Sequence, residues 1–277
     1  MTTPVGAFLL ALEQAGLAMH EPMAIADGSL HRYQVDGDKS GSRNGWYVLH
    51  LDEKPFGAFG SWKTGQSLTW TAGKPESMTA AERLALTQRM AATRREQAAE
   101  QARVHADAAS RAAHLWERAK PADNAYPYLA RKQVAAFGVR DLRGQLVVPM
   151  RDADGRLWSL QFIAADGRKT FLTGGRKRSC YHAIGRPAAA LCICEGYATG
   201  ATIYQTTGHA TAVAFDAGNL LPVAEALRAK FPQLALVIAG DNDTETPGNP
   251  GLTAATAAAR AVGAVVALPQ FGRDAHV

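Results

Sequence analysis

Apolar and polar positions change their spacing several times along the chain, and each change marks a different kind of element. Residues 5–18 (VGAFLLALEQAGLA) are apolar-rich, with Glu13 and Gln14 interrupting the run. This predicts an amphipathic first helix, and no basic stretch precedes it as a signal peptide would require. Short strands and turns follow. WYVLHL (46–51) is β-prone, and Gly37, Gly41, Asn44-Gly45, Pro55, Gly57, Gly60 and Gly65 surround it. Residues 78–118 lack Gly and Pro and are rich in Ala, Arg, Glu and Gln, which predicts one long helix or a helix pair with Ser77 or Thr79 as its N-cap. Pro121 breaks it, and 126–137 (YPYLARKQVAAF) predicts a short helix closing at Gly138. Over 145–172 the pattern is a β-meander, LVVPM and LWSLQFI, with turns at Asp154-Gly155 and Asp166-Gly167.

From residue 191 strands and helices alternate. Strands are expected at 191–195, 211–215, 234–240 and 264–268, and helices at 196–207, 220–230 and 251–262. Such alternation predicts a mostly parallel sheet covered on both faces. The fold class is therefore α/β. A doubly wound, parallel-type sheet occupies 186–277, preceded by an α+β subdomain at 121–185, a helical linker at 76–120 and a small N-terminal α+β domain at 1–75.

Composition narrows the class. With 47% hydrophobic residues among 277 the chain is not a disordered one, and no apolar run approaches the ~18 residues of a membrane span. Three cysteines exclude a disulfide framework and make the cytoplasm the expected compartment. The net charge of +5 is small, but its distribution is not. Residues 116–185 carry 13 basic and 6 acidic side chains, whereas 186–277 carry 5 and 7. A basic platform favours phosphate backbones through counterion release, and a small acidic cluster beside it suits divalent metals.

The acidic cluster has a definite form. Glu195-Gly196 closes the first strand of the alternating region, and Gly240-Asp241-Asn242-Asp243 follows the third. Ligands of open α/β sheets bind at the carboxyl ends of the strands. If these two strands are neighbours, three carboxylates converge on one edge, a hard oxygen set for Mg²⁺ or Mn²⁺. Any one acid after a strand is an ordinary turn or cap residue. The combination of Glu-Gly and Asp-x-Asp favours function. No zinc site is expected, because Cys180, Cys192 and Cys194 form no C-x₂-C pair.

Glu-Gly after one strand and Asp-x-Asp after a later one resembles the Toprim signature. CICEGYATGATIYQTTG, AFDAGNL and VIAGDNDTETPGNPG resemble the Toprim variant of plasmid and phage DNA primases, related to the bacterial type. Upstream, 143–182 resembles the basic subdomain ahead of Toprim in the primase core. Residues 31–70, with GSRNGWYVLHL and FGSWKTGQSLTW, resemble the N-terminal region of conjugative plasmid and phage primases.

The resemblance implies catalytic and Mg²⁺- or Mn²⁺-binding roles for Glu195, Asp241 and Asp243. Lys169, in GRKTF, matches a family lysine near template and incoming nucleotide. Arg168, Arg176, Lys177 and Arg178 are further nucleotide or template candidates on charge, and Asn219 lies just beyond the second strand. Among the N-terminal aromatics, Trp62 beside Lys63 is the candidate template contact, weighed against a role in a small β core. Two departures stand out. Thr199 occupies a position where replicative primases often carry an aspartate, and the family's last acidic motif is not reached before FGRDAHV, for which Asp274 is a poor substitute. The expected function is primer synthesis on single-stranded DNA from nucleoside triphosphates, in plasmid, phage or mobile-element replication. A replicative helicase is a candidate partner and no membrane is involved. The rivals are a Toprim nuclease and a catalytically silent single-stranded-DNA-binding module.

Overall fold

The computed structural model describes residues 3–51, 55–72, 80–241 and 249–268. Ser77, Thr79, Asp243 and Asp274 therefore lie outside the described residues. The chain divides into two units, Met1–Ala102 and Arg103–Val277.

The first unit begins with helix α1 (Pro4–Gln14). Thr3 caps it, its Oγ1 accepting from the Gly6 amide at 3.2 Å, and Pro4 follows at the first helical position. Strands β1 (His31–Tyr33), β2 (Gly45–His50), β3 (Phe56–Ser61) and β4 (Ser67–Thr71) form an antiparallel sheet in sequence order. Phe8 and Leu12, one turn apart on α1, are buried in one core with Tyr47, Leu49 and Phe59. The ring of Phe8 lies 5.4–5.9 Å from those of Tyr47, Phe59 and Trp70. Gly57 makes this approach possible: a Cβ there would stand 2.7 Å from the Phe8 ring and 2.8 Å from the Val48 carbonyl oxygen. The aromatics of this region thus mainly fill a core. Helix α2 (Ala80–Arg118) follows, and the division between the units falls within it.

In the second unit β5 (Lys120–Pro121) leads to helix α3 (Pro127–Lys132). Strands β6 (Arg140–Leu142), β7 (Gln145–Arg151), β8 (Leu157–Ile163) and β9 (Lys169–Phe171) then build an antiparallel sheet in the order β5-β6-β7-β8-β9. Helix α3 is shorter than the expected 126–137, because Gln133 turns left-handed at φ 55° and the chain leaves the helix there.

The alternating region follows as β10 (His182–Ile184), β11 (Ala190–Cys194), α4 (Tyr197–Thr207), β12 (Ala210–Val213), α5 (Leu220–Lys230), β13 (Ala235–Ala239), α6 (Pro250–Val262) and β14 (Val265–Ala267). The sheet order is β10-β12-β11-β13-β14, parallel except where β10 meets β12. Alternate residues of β11 face opposite ways. Leu191 and Ile193 join a core with α5 and α6. Cys194 joins another with Tyr197 of α4 and with Leu146, Val148, Met150 and Ile163 of the antiparallel sheet. The two sheets of this unit therefore share one core. Among the described residues no helix is long and apolar enough to cross a membrane.

Candidate active site

β11 and β13 are direct parallel neighbours, with Cys194 opposite Ala239. This register puts Glu195 opposite Gly240, and Asp241 one residue further on the same sheet edge. Helix α6 starts beside them. A methyl group placed on Gly251, in the first turn of α6, would stand 2.6 Å from the Asp241 carbonyl oxygen and 3.2 Å from Glu195 Oε1. One residue without a side chain thus lets the two acidic positions and a helix terminus crowd together. The Cys194 thiol reports the same convergence. It is held above its ordinary value first by burial, and then by the negative charges of Asp241, Cys192 and Glu195.

Glu195 and Asp241 are both half-buried at the end of a parallel strand pair. Two carboxylates with a main-chain carbonyl oxygen beside them are hard donors that fit Mg²⁺ or Mn²⁺. Among the described residues no cluster of three or more His, Cys, Asp or Glu is present, and Asp243 lies outside them. The three cysteines are buried, and burial pushes the Cys180 thiol up to about 12. A thiolate ligand for zinc is disfavoured in such surroundings.

Lys169 starts β9 on the edge of the antiparallel sheet. Its Nζ lies 3.9 Å from where a Cβ of Gly196 would be, and Thr199 Oγ1 lies 3.6 Å from the same point. The basic sheet therefore delivers an ammonium group to the residue after Glu195. Gly196 itself caps α4, in extended backbone with no side-chain cap, and of the first amides of the helix that of Ala198 bonds Tyr128.

The other basic candidates are arranged around this centre in different ways. Arg168 is exposed, and its amide is fixed by Asp166 Oδ1 at 2.9 Å. The guanidinium of Arg176 lies over the Trp158 ring, 4.7 Å from its centroid, and its Nε donates to the carbonyl of Arg178. Lys177 forms an ion pair with Asp216, at the end of β12. Arg178 is exposed.

Asn219 is turned inward instead of toward the crevice. It is 2% exposed, its Oδ1 accepts from the Ser179 amide, and its Nδ2 donates to the carbonyls of Cys180 and Ala214. Its amide is used up stapling the chain after the basic run to the end of β12. Trp62 and Lys63 belong to the first unit. There Trp62 packs on the buried Trp46, ring centroids 5.7 Å apart, and Lys63 pairs with Asp38.

Three contributors escaped the sequence reading. Gly251 carried no signal, because nothing in the sequence relates it to a glutamate 56 positions earlier. Tyr197 was legible as a residue of the helix after Glu195-Gly196, but its hydrogen bonds to Ala135 and Phe137 were not. Phe171 could have been found, since it stands two residues from Lys169 on a strand and therefore on the same face.

Parallel strands that bring Glu-Gly and Asp to neighbouring carboxyl ends are what the Toprim architecture requires, and residues 189–268 match the Toprim domain family. Over nearly its whole length the chain is similar to DNA primase TraC of Escherichia coli, 41% identical across 290 residues that cover 99% of this chain and 27% of that protein. A second Escherichia coli DNA primase TraC is 39% identical over 97% of this chain and 20% of its own length. The chain thus spans about a quarter of one of these curated relatives and a fifth of the other. The family resemblance read from the sequence is borne out. The primase fragment of the bacteriophage T7 primase-helicase protein aligns over 55% of this chain and 64% of that one, at 15% identity and a TM-score of 0.38, too distant for any inference.

Proposed function

We propose that this chain is the catalytic part of a DNA primase that makes short primers on single-stranded DNA, in the replication of a plasmid or related mobile element. The observation that carries the reading is the convergence of Glu195, Asp241 and Lys169 on one edge of a Toprim sheet. The name shared by its two relatives supports it.

In this reading Glu195 and Asp241, with Asp243 from the sequence motif, hold Mg²⁺ or Mn²⁺. The chemistry such an ion supplies when bound is Lewis-acid charge beside a phosphate ester. Lys169 binds and orients phosphate oxygens at Gly196. Arg168, Arg176 and Arg178 hold the template backbone nearby through charge. The reaction joins a 3′-oxygen to an α-phosphorus and breaks the bond to pyrophosphate, and the hydroxyl proton passes to solvent. A replicative helicase is the partner proposed for such a primase.

The test incubates the protein with single-stranded template, labelled nucleoside triphosphates and Mg²⁺ or Mn²⁺. Wild type is expected to yield short oligomers. Glu195→Gln and Asp241→Asn are expected to yield none while still binding single-stranded DNA. Unchanged product from both variants overturns the assignment of the site. Template cleavage without triphosphates overturns the primase in favour of a nuclease, and neither product overturns it in favour of a silent binding module.

A further inference from the structure

Among the described aromatic side chains of the second unit only Phe171 is exposed, at 40%. It sits on β9, the edge strand that carries Lys169. Register places Lys169 opposite Ile163 and Phe171 opposite Gln161. Directly paired residues share a face of the sheet, so Lys169 and Phe171 lie on the face that Ile163 uses for the core shared with Cys194, Tyr197 and Phe215. That face is turned toward the carboxyl edge of the Toprim sheet.

Both residues meet that edge. Lys169 reaches Gly196 at the end of β11. Phe171 meets Phe215 at the end of the adjacent β12, ring centroids 6.3 Å apart and planes at 80°. Phe215 has φ 76°, a left-handed conformation that bulky residues avoid. Such a conformation persists only where surrounding contacts hold it, and it concentrates at functional sites. Here the turn at Phe215 sets its ring edge-on to Phe171. Lys177 Nζ stands 5.6 Å from the Phe171 centroid and is itself held by Asp216. The exposed ring is thus held by the Phe215 ring, with the Lys177 ammonium over it.

We infer that Phe171 is a stacking platform for the base of the nucleotide whose phosphates lie at Lys169 and the acidic pair. Residues two apart on a strand are separated by about 7 Å, which is about the separation of a base from its own phosphate. An aromatic face is tolerant of base identity, because every base has a π-face. The platform therefore contributes affinity and orientation without selecting a base. The inference rests on the primase reading of the site.

The test uses the full chain. Steady-state oligomer synthesis is measured with ATP and with CTP as the varied nucleotide, and 2-aminopurine riboside triphosphate is titrated separately, its fluorescence quenched on stacking. Phe171→Ala is expected to raise KM about 10-fold for both nucleotides, with kcat held within about 2-fold, and to abolish the quenching. Phe171→Tyr is expected to restore both, and an unchanged melting temperature shows that the fold is intact. Wild-type KM and quenching in Phe171→Ala overturn the platform, as does a Phe171→Tyr variant no better than alanine. If wild type makes no oligomer, the primase reading falls, and the quenching titration still decides on the platform.

Discussion

Gly251 shows how much one hydrogen in place of a methyl group can decide. On helix propensity alone, Gly251→Ala within α6 gains about 1 kcal/mol. The new Cβ, however, would stand 2.6 Å from the main-chain oxygen of Asp241, and neither partner there is a flexible side chain. Overpacking of this kind costs about 1–3 kcal/mol, so the clash outweighs the propensity. We predict a lower melting temperature for Gly251→Ala and a smaller stabilisation by added Mn²⁺ than in wild type, both read in thermal melts. The residue scale also explains Asn219. Its position after a strand made it a candidate for the crevice, and only its three main-chain hydrogen bonds show that it is a staple.

At the scale of elements, α4 does more than follow Glu195. Its first residue, Tyr197, is fully buried. The hydroxyl donates to the Ala135 carbonyl at 2.8 Å and accepts from the Phe137 amide at 2.7 Å. Gln205 on the same helix accepts from the Ala135 amide, and Tyr204 meets the Phe137 ring edge-on. Helix α4 thereby grips the stretch between α3 and β6, which is also why α3 stops at Lys132 where the sequence predicted helix as far as 137. Tyr197→Phe removes a buried hydroxyl from this grip while keeping the ring. The expected loss is about 1–2 kcal/mol in denaturant unfolding, because the Phe137 amide keeps a second acceptor in the Ala135 carbonyl.

At the scale of the whole molecule, burial of His182 couples folding to pH. His182 is 4% exposed and its Nε2–H donates to the Phe137 carbonyl. Burial lowers its pKa from 6.5 to about 4, the Phe137 hydrogen bond opposing and the Arg151 charge assisting. Between these values the unfolded chain binds a proton that the folded chain does not. Stability is therefore full above pH 6.5 and declines as pH falls toward 4, by about 3 kcal/mol from this residue. Thermal melts from pH 7 to 4.5 are expected to show the decline, and His182→Gln, which keeps a donor, is expected to flatten it. Much of the fold was legible in the sequence. The strand-and-helix alternation after residue 191, the meander before it and the placing of Glu195 and Asp241 at strand ends all follow from local periodicity and turn chemistry. Those signals act within a few residues, and the chain writes them directly. What the sequence left open was which strands are neighbours, and on that the site depends. The order β12-β11-β13 brings Glu195 beside Asp241, and the packing of the antiparallel sheet on the same core brings Lys169 to Gly196 and Phe171 to Phe215. Those contacts join residues far apart in the chain, so no local pattern encodes them. They are fixed by side-chain packing across a shared core, which exists only once the tertiary structure has formed.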